Sequence, residues 1–67
     1  MNIDIRQSIM NNFKDADIDD IKISIVASID EKEEITLPGL GVFFEILWIN
    51  SNENDKENIL NSIKKGL

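Results

Sequence analysis

A chain of 67 residues and 7.6 kDa is expected to form one domain, residues 1–67, with a core too small to be worth more than about 3–5 kcal/mol unaided. It has neither cysteine nor histidine, which excludes disulfides, thiol nucleophiles, zinc fingers and histidine-based acid–base chemistry. Thirteen acidic against seven basic residues give a formal charge of −6, which disfavours nucleic acid and acidic membrane faces as partners.

The longest apolar run, Val42 to Ile49, is broken by Glu45 and is far shorter than the roughly 20 residues of a membrane span. The opening Met1-Asn2-Ile3-Asp4-Ile5-Arg6 carries an acid early and lacks the basic-then-apolar order of a secretory leader, so an intracellular location is expected. No internal repeat or low-complexity tract is present.

In chain order, Ile5, Ile9 and Phe13, flanked by Met10, make one apolar stripe and predict a helix over about 3–13, capped by Asn2 or Asp4. A second helix, over about 17–30, follows from Asp17 and Asp20 as an acidic capping pair and from Ile18, Ile21, Ile25 and Ile29 at helical spacing. Ile21, Ile23 and Ile25 also alternate like a strand. The helical stripe is longer and carries a start signal, so helix is preferred, leaving Ile23 on the far face.

Leu37-Pro38-Gly39-Leu40-Gly41 reads as a tight turn, because two glycines permit positive φ and the proline fixes its own. Val42 to Ile49 then admits two readings. As a strand it would pair with Ile35-Thr36-Leu37 in a hairpin, which β propensity favours. As a helix, over about 41–50, it spreads Phe43, Phe44, Ile46, Leu47 and Trp48 round a broad apolar arc, with Glu45 and Ile49 on the remaining side. An isolated short hairpin is marginal in water, so helix is preferred. A last helix, over about 53–65, has Ser51 or Asn52 as cap, acids early, Lys64 and Lys65 late, and Gly66 after its end. The fold class expected is mainly α with four short helices. The alternative is α+β, with two helices, a hairpin 34–37/42–49 and a C-terminal helix.

The residues argue for no catalytic centre. Asp17, Asp19 and Asp20 lack the glycine and distant Glu of a calcium loop, and Glu31, Glu33 and Glu34 read as a solvated turn, so no metal site is expected. Ser8, Ser24, Ser28, Ser51 and Ser62 have no histidine base. Glu45 lacks a second group to complete any reaction. Phe43, Phe44 and Trp48 have no basic groove beside them, so they read as core or as a dimer face rather than a platform for bases. No catalytic or cofactor-binding residue and no small-molecule substrate follows.

Two short resemblances centre on the turn. Leu37–Gly41 resembles the hairpin of helix-hairpin-helix modules, whose backbone amides contact phosphate. Ile35 to Phe43 is faintly similar to the strand–turn–strand of HU-type DNA-bending proteins. Neither match brings the basic residues those families use.

A third resemblance runs nearly end to end. The opening Met1–Arg6, Glu33-Glu34, the block Leu37, Pro38, Gly39, Leu40, Gly41, Val42, Phe43, Phe44 and Glu45, then Trp48 with Asn50, and Gly66-Leu67 are together similar to the small acid-soluble spore protein I family. Ile49 stands where that family usually has a polar residue. The resemblance implies synthesis during sporulation, residence in the spore core of the forespore, and no enzyme or cofactor. It makes Leu37–Glu45 and Trp48 the candidate core or interaction residues. The function expected is a non-enzymatic structural or protein-contacting spore component, its partner a second copy or another spore protein. The alternative is a small nucleoid-associated module touching phosphate through Leu37–Gly41.

Overall fold

The computed structural model describes residues 4–67, and these form four α-helices joined by short breaks: α1 (Ile5–Phe13), α2 (Ile18–Glu31), α3 (Leu37–Ile49) and α4 (Glu53–Lys65). A 3-10 turn, Glu34–Thr36, leads directly into α3. Among the described residues there is no strand, so the mainly α expectation holds and the hairpin alternative does not.

Three helices start where a side chain replaces a missing backbone partner. Asp4 accepts from the Gln7 amide at 3.1 Å, Asp17 from Asp20 at 3.0 Å, and Asn52 from Asp55 at 2.7 Å. The expected start of the first helix near Ile3, and Asn2 as its cap, lie outside the described residues. Along α2 the helical period wins over the strand alternation. Ile21 and Ile25 turn toward α3, while Ile23 points outward at 66% exposure.

The second helix ends without a glycine. Lys32 adopts the left-handed conformation, φ 52°, and its amide bonds the Ile29 carbonyl. Thr36 ties the following turn back, its hydroxyl donating to the Glu33 carbonyl at 2.8 Å and lying 3.3 Å from that of Ser28.

The tight turn expected at Leu37–Gly41 is instead the first turn of α3, and the helix begins four residues earlier than the 41–50 reading. The physical reason is that a proline near a helix start loses no hydrogen bond, since the first amides have no intrahelical partner. Neither Gly39 nor Gly41 adopts positive φ. Gly39 serves packing, with the Ile9 side chain 3.6 Å from where a Cβ would stand. At the other end, the Asn50 amide donates to the Ile46 carbonyl and the Ser51 hydroxyl to that of Leu47, closing the last turn.

Packing centres on α3, against which α1 and α2 rest, while α4 approaches it only around Trp48. Phe13 meets Phe43 edge to face, centroids 5.1 Å apart. Val42, at 8% exposure, is the most deeply buried of the described residues, and none is fully buried. The accessible surface is 5854 Å², whereas a compact monomer of this mass exposes about 4,300 Å². The radius of gyration, 13.0 Å, likewise exceeds the roughly 11 Å of a tightly packed chain this long. The four helices are well formed but thinly covered.

Candidate functional site

The candidate residues all lie on α3, and the helix distributes them over distinct surroundings. Leu37 and Pro38 are exposed at its start. Gly39 faces α1, and Val42 is the buried pivot. Leu40, Phe43, Phe44 and Leu47, at i, i+3, i+4 and i+7, form one stripe. Gly41, Phe44 and Trp48 turn toward α4. The structure therefore brings the block together as a helix with two apolar sides rather than as a loop presenting amides.

The stripe forms the floor of an open groove of about 770 Å³ between α1, α2 and α3. Ile9, Met10 and Phe13 supply one wall, Ile21 and Ile25 the other. Met10 and Leu47 stand on its rim, 54% and 49% exposed. The polar rim is modest: Gln7 donates to Asn11 at 3.1 Å, and Lys14 is the one charged side chain among the described residues that line the groove. In a chain of net charge −6, this surface carries no carboxylate.

A shallower apolar depression, about 410 Å³, lies between α3 and α4, lined by Phe44, Trp48, Ile49 and Leu60. Trp48 is half-buried. Phe44 leans on one side of it, centroids 6.0 Å apart, and the Lys56 ammonium lies 5.2 Å from its ring centre. Lys56 also approaches Glu53 at 3.8 Å.

Glu45 is paired, a contact its place in the sequence did not reveal. Arg6 grips it through two parallel bonds, Nε to Oε1 at 2.6 Å and Nη2 to Oε2 at 2.9 Å, joining α1 to α3 across 39 positions. That bond holds the Glu45 carboxyl below its ordinary range, partial desolvation opposing and the Arg6 charge assisting. The same bond raises Arg6, with the Glu45 charge next and Asp4 adding to it. Glu45 is thus a committed carboxylate, the opposite of a group poised to donate a proton. Among the described residues no cluster of three acids could hold a metal ion.

Sequence reasoning found the α3 block and the apolar stripe of α1, but not that the two would leave a groove between them. It gave no role to Arg6, and Leu47 was read only as part of an apolar arc. The one available signal was that α3 is apolar on nearly every side, more than three thin neighbours can cover.

Comparison with known proteins adds the relatives. The family described as Small, acid-soluble spore protein I matches residues 3–67. Curated proteins of that name are similar over the whole chain: one from Halalkalibacterium halodurans is 42% identical over 67 residues, covering 100% of this chain and 98% of its own. One from Bacillus cytotoxicus is 37% identical, covering 100% and 96%, and one from Bacillus mycoides is 37% identical, covering 100% and 97%. No solved structure matches.

Proposed function

The chain belongs to the small, acid-soluble spore protein I family, a group of spore proteins and not a known enzyme family, and from that premise we propose that it is a non-catalytic component of the spore core acting through protein contacts. The observation that carries this reading is the carboxylate-free apolar groove on a chain of net charge −6. Large exposed apolar patches with polar edges mark interaction surfaces.

Catalysis has little to build on. The sequence lacks histidine and cysteine, and the Glu45 carboxyl is held ionised by Arg6. Among the described residues no helix is long and apolar enough to cross a membrane. The nucleoid-associated alternative is less favoured on this reading, since Leu37–Gly41 is helical and Glu33 and Glu34 stand at the start of the 3-10 turn that leads into α3. Acids at that position repel phosphate and leave the first-turn amides unsuited to it.

The test is an electrophoretic shift of duplex DNA at about 0.15 M salt, where weak surface charge contacts are screened. No retardation is expected at large protein excess. A saturable shift would overturn the reading in favour of the nucleoid one.

A further inference from the structure

The groove has a second copy of this chain as its natural occupant: we propose that the protein self-associates about a two-fold axis by packing the α1–α2–α3 groove of each copy against that of the other. This rests on the protein-contact reading above and names its partner.

Surface area is the first argument. The chain exposes 5854 Å², roughly 1,550 Å² more than a compact monomer of its mass. A standard interface takes about 800 Å² from each partner. Summed over the whole chain, the uncovered surface exceeds what one such interface takes from each copy. The second argument is α3 itself. A helix apolar on nearly all sides belongs inside a core, yet Val42 is its one buried residue.

Charge selects the face. Two chains of −6 repel through most of their surfaces, and that repulsion is least where no carboxylate stands. The groove lining meets this condition, and Lys14 at its edge is attracted to an acidic mate. Shape allows the fit as well. Met10 and Leu47 project from the rim, and a two-fold axis lets the rim of each copy enter the groove of the other. Mainly apolar contact between acidic bodies gives a distinctive signature: association tightens with salt, as repulsion is screened and burial is not.

Sedimentation equilibrium of the full chain from about 5 to about 500 µM should show the mass rising from 7.6 kDa to twice that value. Raising salt from about 0.05 to about 0.5 M should strengthen the association. Leu47→Glu places an unpaired carboxylate at the interface and should weaken association by roughly a hundredfold. Ile63→Glu, on α4 at a similar exposure of 46%, should change it by less than about threefold. Circular dichroism of both variants at high dilution verifies their helices. A measurement independent of those substitutions uses the absence of native thiols. A nitroxide on Asn12→Cys in one copy should broaden amide signals of residues 40–47 in an isotope-labelled second copy before those of residues 59–65.

A monomer throughout that range overturns the proposal. So does association that weakens with salt, or that Ile63→Glu abolishes while Leu47→Glu spares. A monomer that leaves duplex DNA unshifted removes the dimer alone, whereas a monomer that shifts it removes the protein-contact reading too.

Discussion

Helices α3 and α4 are each 13 residues long and follow one another in the chain, yet they are held by opposite means. The later helix is complete in its own sequence: Asn52 caps it, Glu53 and Asp55 open it, and Lys64 and Lys65 close it. It leans on the rest mainly through Trp48, Lys56 and the edge of Leu60. The earlier helix has no side-chain cap, two glycines and no acid in its first turn, but it touches every other element. Local signals are strongest where tertiary support is weakest. A helix that owns its ends can stand nearly free, whereas one rich in glycine needs neighbours to hold it.

That contrast sets the predictions. Phe43→Ala removes the partner of Phe13 at the centre of α3 and should cost about 3 kcal/mol. This is comparable to the whole stability of so small a core, so the variant should lose its cooperative melt. A melt close to the parent's would show that α3 is not the hub.

Trp48→Ala ranks next. A fully buried tryptophan would cost about 3–5 kcal/mol, but this one is half-buried, and about 2 kcal/mol is expected. The distinctive result lies in hydrogen exchange: amides of α4 should lose protection while those of α1 and α3 keep theirs. Uniform loss would make α4 part of the same cooperative unit and erase the contrast.

Gly41→Ala should stabilise, by about 0.5–1 kcal/mol, because Gly41 is helical and a Cβ there meets no atom within 4 Å. Destabilisation in a thermal melt would restore the turn at Leu37–Gly41.

The smallest effect concerns the α1–α3 clamp. Since the Glu45 carboxyl is held below its ordinary value of about 4.5, the pair's stabilisation is present above that pH and is lost as pH falls through the depressed value. Both side chains are substantially exposed, so the effect on melting temperature is modest. Arg6→Gln should melt slightly below the parent at pH 7, and the gap should narrow in acid as Glu45 takes up its proton. A gap that persists in acid would mean Arg6 stabilises through packing of its stem.

Much of this was readable beforehand in particular residues. Asp17 with Asp20, and Ser51 or Asn52 ahead of a run of acids, announced two helix starts, and the structure makes Asp17 and Asn52 the caps. The preference for helix over strand at Val42–Ile49 held, and so did the preference at Ile21–Ile25. Leu37–Gly41 was misread because Pro and Gly are turn residues by local preference, and local preference cannot register that Ile9 waits beside Gly39. Lys32 gave no sign of its left-handed conformation, since a lysine there follows from how α2 must end before the 3-10 turn.

By itself, the sequence determined the helices, most of their ends and the family, since caps, apolar period and a continuous motif are all properties of neighbouring residues. Tertiary structure alone decided that Arg6 would clamp Glu45, that α3 would begin at Leu37, and that three helices would meet around an apolar groove. Those outcomes depend on groups up to 39 positions apart. A helical period shows which face of a segment is apolar, but only packing shows how much of that face its neighbours leave uncovered.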